Sequence, residues 1–170
     1  MFRYQVLIEY IGTSFVGWQI QSKGKSIQKE IQTKLSKLLK EKVILIGSGR
    51  TDTGVHAIEQ SAHFDCKKEI QNLDKLLKSI NHFINDKGIS ILVIKKRSLK
   101  FHARHSAKQR IYKYIIFNRL SKYWLEKEKD WDIIKKWDIE LMKKGAKKLV
   151  GTKDFSTFRA SGCNANSPIK

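Results

Sequence analysis

Apolar and polar positions alternate from the start of the chain. Residues 4–10 place Tyr4, Val6, Ile8 and Tyr10 on one side of an extended segment, which predicts a strand with a buried face. Residues 12–24 then read as a loop. Between Ile27 and Leu39 the apolar positions recur at helical spacing, and Ser26 stands where an N-cap is expected, so this segment is predicted to be a helix.

The pattern continues with two strands, a helix and a strand. The predictions are a short strand at 43–46, a longer one at 56–64, an amphipathic helix at 73–83 and a β-branched strand at 89–94. The element order is therefore β-α-β-β-α-β, the split-βαβ or ferredoxin-like layout of the α+β class. This layout occurs in RNA-binding domains but hosts many unrelated functions.

A similar layout begins again after residue 97. A strand is predicted at 110–118 and a basic helix at 131–150, after which no further elements follow. We therefore predict a ferredoxin-like domain over residues 1–97 and the first part of a second, similar domain over 98–170. Such a helix lacks most of a sheet to cover, which suggests a C-terminally truncated chain.

The charge of the chain points to a polyanionic partner. Lys and Arg number 35 against 16 Asp and Glu, a formal net charge of +19. On a chain with 41% hydrophobic residues, this surplus favours a folded domain that binds nucleic acid. A genome biased towards Lys and Ile is the other explanation of the same composition.

Cysteines and apolar runs constrain the setting. Cys66 and Cys163 are too few and too far apart for a disulfide framework, and neither has a neighbouring base that would activate it, so both are interpreted as structural. No apolar run approaches the roughly 18 residues of a membrane span, and no signal peptide is recognisable. We expect a cytoplasmic protein with no membrane association.

The densest polar cluster is Gly49–Ala57, between two predicted strands. Residues two apart in an extended stretch project to the same side, so Arg50 is expected beside Asp52, where it would favour the ionised carboxylate. An ionised carboxylate in a basic cleft can serve as nucleophile or general base. The alternative is a hairpin turn in which the Asp52 side chain caps an amide and Gly54 supplies a positive φ.

Residues 95–113 carry many cations and no acid. Aromatic residues Phe101, Tyr112 and Tyr114 are interleaved with them, a combination typical of phosphate contacts beside base stacking, so this segment is predicted to line an RNA cleft. The alternatives are a solvated connection between domains and, for Tyr112, an ordinary aromatic residue of a core strand. The cations are Lys95, Lys96, Arg97, Lys100, Arg104, Lys108, Arg110 and Lys113.

Other residues with possible chemistry are interpreted as structural. His56 and His63 read as strand residues, and His102 with His105 lacks further partners at metal-ligand spacing, so no metal site is predicted. Trp18 is expected to anchor the loop after the first strand.

At Gly49–Ala57 the sequence resembles the tRNA pseudouridine synthase A family. The usual signature loop of that family is G-R-T-D-A-G-V-H followed by a small residue, and Thr53 replaces the usual alanine here. Further matches run in order from about residue 5 to residue 160. They are Gly17-Trp18-Gln19 with Gln21, Ser26-Ile27-Gln28, Gln60, His63-Phe64, Phe101-His102-Ala103-Arg104, Arg110-x-Tyr112-x-Tyr114 and Asp154-Phe155-x-x-Phe158-Arg159.

The resemblance implies the reaction and its residues. Asp52 would be the catalytic aspartate that attacks a flipped-out uridine, at positions 38, 39 and 40 of the tRNA anticodon stem-loop. Tyr112 would stack on the target base, and Arg50 would help to hold the flipped-out site open. A base in a helical stem must leave the stack before its sugar bond can be reached, which agrees with these roles. The predicted substrate-binding residues are Tyr112, Arg104, Arg110 and His56.

The resemblance also implies partners. The family needs no cofactor or metal and works as a homodimer with the tRNA lying across both subunits. Its members continue beyond the point that matches Lys170, and the further part supplies an arginine that pairs with the catalytic aspartate. The alternative function is a non-catalytic RNA-binding module. An RRM-type domain is a weaker option, because its RNP1 string is not found in the sequence.

Overall fold

The computed structural model describes residues 1–124, 129–159 and 167–169. The chain forms two compact units, residues 1–113 and residues 114–170, which are described separately. The functional boundary after residue 97 stays a prediction.

The first unit is a four-stranded antiparallel sheet with two helices. The strand order is β2-β3-β1-β4, and the element order along the chain is the predicted β-α-β-β-α-β. The ferredoxin-like α+β prediction is confirmed for this unit. The elements are β1 (Phe2–Tyr10), α1 (Ile27–Leu39), β2 (Ile46–Gly47), β3 (Ala57–Cys66), α2 (Leu73–Ile84) and β4 (Ile89–Arg97), with a 3₁₀ turn at Asn85–Lys87 before β4.

The two helices begin where side chains cap them. The Ser26 hydroxyl accepts a hydrogen bond from the Lys29 N–H, as predicted, and the Asn72 side chain accepts one from the Lys75 N–H at 2.7 Å. Tyr4, Val6, Ile8 and Tyr10 of β1 are buried, and they form one core with the apolar stripes of α1 and α2. The odd-numbered residues of β1 therefore lie on the other face of the sheet.

The predicted strand at 43–46 is wrong for most of its length. Val43 and Leu45 are buried, but strand pairing begins only at Ile46. Side chains of α1 supply the backbone partners instead: the Val43 N–H donates to Ser36 Oγ at 3.0 Å and the Leu45 N–H donates to Gln32 Oε1 at 3.1 Å. The alternation of apolar residues indicates which side chains are buried, but it does not indicate which groups accept the hydrogen bonds of the main-chain N–H groups.

The second unit departs further from the predictions. Its elements are β5 (Ile116–Asn118), which pairs in parallel with β6 (Trp131–Ile133), α3 (Ile139–Leu149) and a 3₁₀ turn at Ser156–Phe158. Of the strand predicted at 110–118, only the last three residues form a strand. The helix predicted to begin at residue 131 begins at residue 139.

Two polar side chains explain the late start of α3. The Asp138 carboxylate accepts from the Leu141 N–H at 2.9 Å and caps the helix there. Before the helix, Asn118 Nδ2 donates to the carbonyls of Ile133 and Lys135, so these two carbonyls accept hydrogen bonds from a side chain and not from a helix. Residues before Asp138 therefore do not form a helix, although their apolar positions recur at helical spacing, because side chains bond to the main chain there.

Within the part of the chain that the structure describes, no helix combines the length and apolar character needed to cross a membrane. Cys66 is a buried free thiol, and burial raises its pKa to about 11, consistent with a structural role. Cys163 lies outside the described residues.

Candidate functional site

The signature loop, residues 48–56, connects β2 to β3 and contains a tight turn. The Val55 N–H donates to the Asp52 carbonyl at 3.2 Å, and Gly54 adopts a φ of +79°, as the turn interpretation predicts. The Asp52 side chain, however, caps no amide: within the described residues no donor is bonded to its carboxylate. The turn therefore leaves an exposed carboxylate with its hydrogen-bonding capacity unused.

The first loop, residues 12–24, holds the signature loop by main-chain contacts. The Trp18 N–H donates to the Thr51 carbonyl at 3.0 Å, and the Gly12 N–H donates to Nδ1 of His56 at 3.0 Å. The approach is so close that a Cβ at Gly12 would lie 2.0 Å from the Val55 carbonyl oxygen. The two loops thus form a joint that requires glycine at this position.

The side chains of Tyr10, Gln60 and Trp18 also stabilise the joint between the two loops. The hydroxyls of Tyr10 and Thr51 are hydrogen-bonded at 2.8 Å, and Gln60 Nε2 donates to the Gly49 carbonyl at 3.0 Å. Trp18 is buried against Gly47, where a Cβ would lie 2.7 Å from the indole. The prediction that Trp18 anchors the loop is confirmed.

Arg50 and Asp52 face one concavity of about 350 Å³. Thr51, between them in sequence, is bonded to the Tyr10 hydroxyl and lines the same concavity, so the common location of Arg50 and Asp52 does not arise from extended alternation. The two side chains form no ion pair with each other. The residues that line the concavity are Val16, Gln19, Gln21, Arg50, Thr51, Asp52 and Thr53.

A pair of glutamines links this concavity to the core. Gln28 is almost fully buried, and its Nε2 donates to the Leu45 carbonyl at 2.7 Å. Its Oε1 accepts from Gln19 Nε2 and from the Ile20 N–H, both at 3.0 Å. Sequence reasoning assigned neither glutamine a role. The available signal was that Gln28 shares the buried stripe of α1 with Ile31 and Leu35, where a polar residue needs a partner.

The basic segment, residues 95–113, reaches the signature loop through Arg110. Its Nη2 donates to the Ser48 carbonyl at 3.0 Å and to the Arg104 carbonyl at 3.3 Å. The main chain of Arg104 is fixed in turn, because its N–H donates to His102 Nδ1 at 3.2 Å. Both arginines are exposed. The Arg110 guanidinium therefore lies at the first residue of the loop that carries Asp52, and the main chain of Arg104 lies beside this guanidinium.

The start of the basic segment is fastened to β1 and β3. Arg3 binds the Asp65 carboxylate with two hydrogen bonds of 2.7 Å and donates to the carbonyls of Leu99 and Phe101. This pairing holds the pKa of Asp65 below its usual range.

A buried histidine adds a second attachment for the basic segment. The Ala103 N–H donates to Nδ1 of His63 at 3.2 Å. Burial and the nearby Arg3 guanidinium lower the pKa of His63 to about 4, so the ring is neutral at pH 7 and accepts this bond. His63 lies on β3, which confirms that it is a strand residue.

Tyr112 and His56 are placed differently from the other predicted site residues. The side chain of Tyr112 is 74% exposed and lies on no strand, so the interpretation as a core aromatic is wrong. It is also absent from the described residues that line the Asp52 concavity. His56 is half-buried, with Nδ1 directed at the first loop. In the described ranges no group of three or more His, Cys, Asp or Glu side chains is arranged to hold a metal ion.

Comparisons with known proteins converge on one family. The family described as tRNA pseudouridine synthase matches residues 6–106. A protein of Pelagibacter ubique (strain HTCC1062), named tRNA pseudouridine synthase A, is 90% identical over all 170 residues. Proteins of the same name from Anaplasma phagocytophilum (strain HZ) and Neorickettsia sennetsu (strain ATCC VR-367 / Miyayama) are 40% and 38% identical over 99% of the chain. The chain spans 69% of the length of each.

Proposed function

The chain belongs to the tRNA pseudouridine synthase family, a family of isomerases, and from this premise we propose that it converts uridine to pseudouridine in the tRNA anticodon stem-loop with Asp52 as nucleophile. One observation carries the assignment to Asp52. Its carboxylate is exposed in the concavity and accepts no hydrogen bond from the described residues, while the backbone beneath it is held by the first loop, Tyr10 and Gln60. A free side chain on a fixed backbone suits a nucleophile that must meet a substrate atom.

The proposed reaction is an internal rearrangement. The Asp52 carboxylate attacks ribose C1′ and displaces N1, so a bond between Asp52 and C1′ replaces the bond between N1 and C1′. The uracil then turns and its C5 bonds to C1′, which breaks the bond to Asp52 and releases the carboxylate. The hydrogen of C5 leaves to water and N1 gains a proton. The other side chains of the site bind the base and move protons.

Base flipping accounts for the neighbouring residues. Extruding a base from a stem costs a few kcal/mol, which contacts with an arginine and an aromatic ring offset in part. Arg50 lines the same concavity as Asp52 and is proposed to keep the extruded nucleotide out of the stack. Tyr112 is proposed to stack on the base, and its exposed ring is accessible to RNA. In this proposal Tyr112 meets the nucleotide at the rim of the concavity.

The basic segment is proposed to bind the phosphates. Arg104 is exposed, and Arg110 ties the segment to the carbonyl of Ser48, the first residue of the signature loop. Phosphate contacts at these side chains would place the RNA backbone beside the concavity that contains Asp52. The half-buried His56, at the end of the signature loop, is proposed to be part of the same binding surface. Binding across two subunits of a homodimer stays a prediction.

The test is release of tritium from tRNA labelled at uracil C5. It uses two forms of the protein: the 170-residue chain, and an extended form in which the chain is joined to the part of the Pelagibacter ubique relative outside the match. We expect Asp52→Asn to reduce release at least about a thousandfold, because the nucleophile is lost. The control is Asp74→Asn, an exposed carboxylate in the first turn of α2, which should retain wild-type rates.

Two outcomes contradict the proposal. Release at the wild-type rate by Asp52→Asn would exclude Asp52 as nucleophile. If both wild-type forms bind tRNA without releasing tritium, the alternative of a non-catalytic RNA-binding module is favoured instead. In that case Asp52→Asn and wild type should behave alike in binding assays as well.

A further inference from the structure

Hydrogen bonds determine which end of the Gln19 side-chain amide is nitrogen and which is oxygen. The Gln28 atom that faces the Leu45 carbonyl must be a nitrogen, because a carbonyl oxygen only accepts. The other end of the Gln28 amide is therefore Oε1, and it already accepts from the Ile20 N–H. The Gln19 atom that meets this oxygen at 3.0 Å must be Nε2. The buried main chain thus determines, through two amides, which end of Gln19 is nitrogen.

The other end of Gln19 is an unused acceptor at the site. Among the described residues no donor is bonded to Gln19 Oε1, although the residue is half-buried and its amide is held at the nitrogen end. Gln19 lines the concavity together with Asp52. An acceptor fixed at its nitrogen end, on a residue that lines the same concavity as the Asp52 carboxylate, suits the recognition of a hydrogen-bond donor on a ligand.

We propose that Gln19 is a specificity-determining residue whose Oε1 accepts a hydrogen bond from the target nucleotide, with Gln28 as its positioning residue. The inference rests on the proposed function. In a uridine, the donors beside the glycosidic bond are the N3–H of the base and the 2′-hydroxyl of the ribose. A contact with N3–H would also reject cytidine, because unmodified cytosine has an acceptor at N3 and would leave Gln19 Oε1 facing a lone pair.

Gln21 offers a matched comparison within the same concavity. Its Nε2 donates to the Val16 carbonyl at 2.9 Å inside the first loop, and its side chain is exposed. Unlike Gln19, it has no link to Gln28 or to the buried main chain. Replacing Gln21 is therefore expected to affect uridine and its analogues alike, so that its effect cancels in the ratio of their kcat/KM values.

The experiment is a double-mutant cycle between protein and RNA. Anticodon stem-loop RNAs carry uridine, 2′-deoxyuridine or 3-deazauridine at the target position, each labelled with tritium at C5. Their kcat/KM values are measured with the extended form as wild type, Gln19→Met and Gln21→Met. The first analogue lacks the 2′-hydroxyl and the second replaces N3–H by C–H, so together they identify which donor is read.

The quantity compared is the factor by which an analogue lowers kcat/KM relative to uridine. For one of the two analogues, we expect this factor to be about ten times larger with wild type and Gln21→Met than with Gln19→Met, the ordinary effect of one hydrogen bond in a partly buried site. Equal factors for all three proteins on both analogues would overturn the inference while leaving the proposed function intact. Absence of tritium release by wild type on uridine would instead remove the proposed function, and the inference with it. Gln19→Ala is measured alongside, so that a folding defect of one variant does not decide the result.

Discussion

The signature loop and the basic segment are both attached to the same sheet, but through different kinds of groups. The signature loop is held by main-chain bonds, by the hydroxyls of Tyr10 and Thr51, by the Gln60 amide and by the bond between the Gly12 N–H and His56. The basic segment is held by the buried ring of His63 and by the Arg3–Asp65 pair. Most bonds of the first attachment join uncharged groups, with the His56 ring as the exception, whereas the second depends on a histidine and an ion pair.

This difference separates two requirements of an RNA-modifying site. A nucleophile needs a constant position, which the uncharged bonds and close main-chain packing of the signature loop supply. Burial raises the pKa of Tyr10 above its ordinary value, so its hydroxyl is protonated at neutral pH. A phosphate-binding segment needs charge on exposed side chains, and its attachment is expected to depend on pH and salt. The following predictions test whether the two attachments are independent.

The largest effect is expected for Gly12→Ala. The new Cβ would lie 2.0 Å from the Val55 carbonyl oxygen, so the first loop and the signature loop must separate. We expect the free energy of unfolding to fall by about 3 kcal/mol and tritium release to be lost. The control is Gly145→Ala, in α3, where a Cβ meets nothing within 4 Å and helix propensity should favour alanine. A stable, active Gly12→Ala protein would contradict the described joint.

The next effect is the pH dependence of stability through His63. Burial and Arg3 lower its pKa to about 4 in the folded protein, with His102 also lowering it and Asp65 opposing the shift. The unfolded chain, with a pKa near 6.5, then binds more protons between these values. The free energy of unfolding should therefore fall as the pH drops from about 6.5 to about 4, by at most about 3 kcal/mol. Chemical denaturation at several pH values measures this slope.

Two histidine variants make the pH test specific. His63→Asn keeps an acceptor for the Ala103 N–H without a titrating ring, so its stability should be nearly flat over the same range. His82→Asn replaces an exposed histidine of α2 and should retain the wild-type slope. Identical slopes for wild type and His63→Asn would show that the attachment of the basic segment does not depend on this ring.

A smaller effect is expected for Tyr10→Phe, which removes only the hydroxyl bonded to Thr51. The loss of one hydrogen bond should lower the free energy of unfolding by about 1 kcal/mol and reduce kcat a few-fold, because the backbone under Asp52 is less constrained. Tyr4→Phe is the matched control, since its hydroxyl binds the Ile70 N–H away from the loop. It should cost similar stability without reducing kcat. Equal kcat values for the two variants would contradict a positioning role for Tyr10.

The smallest effect is expected for Arg104→Ala. Its exposed guanidinium is proposed to contact one phosphate, so the slope of log K against log salt for tRNA binding should decrease by about one unit. Thermal stability should stay unchanged, because only the main chain of Arg104 takes part in the described hydrogen bonds. An unchanged salt slope, measured by filter binding, would remove Arg104 from the phosphate-binding surface.

Periodicity predicted the first unit because its elements have complete apolar faces. The alternation in β1 and the stripes of α1 and α2 correspond to buried residues of one core. In the second unit no described residue is buried, so the regular spacing of apolar residues there does not correspond to a core. The start of α3 is set instead by the Asp138 cap. Local hydrogen bonds of this kind are difficult to infer, because they depend on which side chain reaches which peptide.

The candidate site was partly predictable for a related reason. Strand alternation predicted that Arg50 and Asp52 lie together, and the structure puts both at one concavity, although Thr51 between them lines it too. The contacts of the signature loop with Gly12 and Trp18, and the bond between Gln19 and Gln28, join residues that spacing alone does not bring together. They arise from the packing of two loops and became visible only with the tertiary structure.

The two outer strands of the sheet have a consequence for the behaviour of the protein at high concentration. β2 pairs over only two residues, which leaves little unpaired main chain for another molecule to extend. β4 is nine residues long, but it ends in Lys95, Lys96 and Arg97, so a strand added along this edge would meet three cationic side chains. Both features disfavour intermolecular strand pairing, the first step of fibrous aggregation.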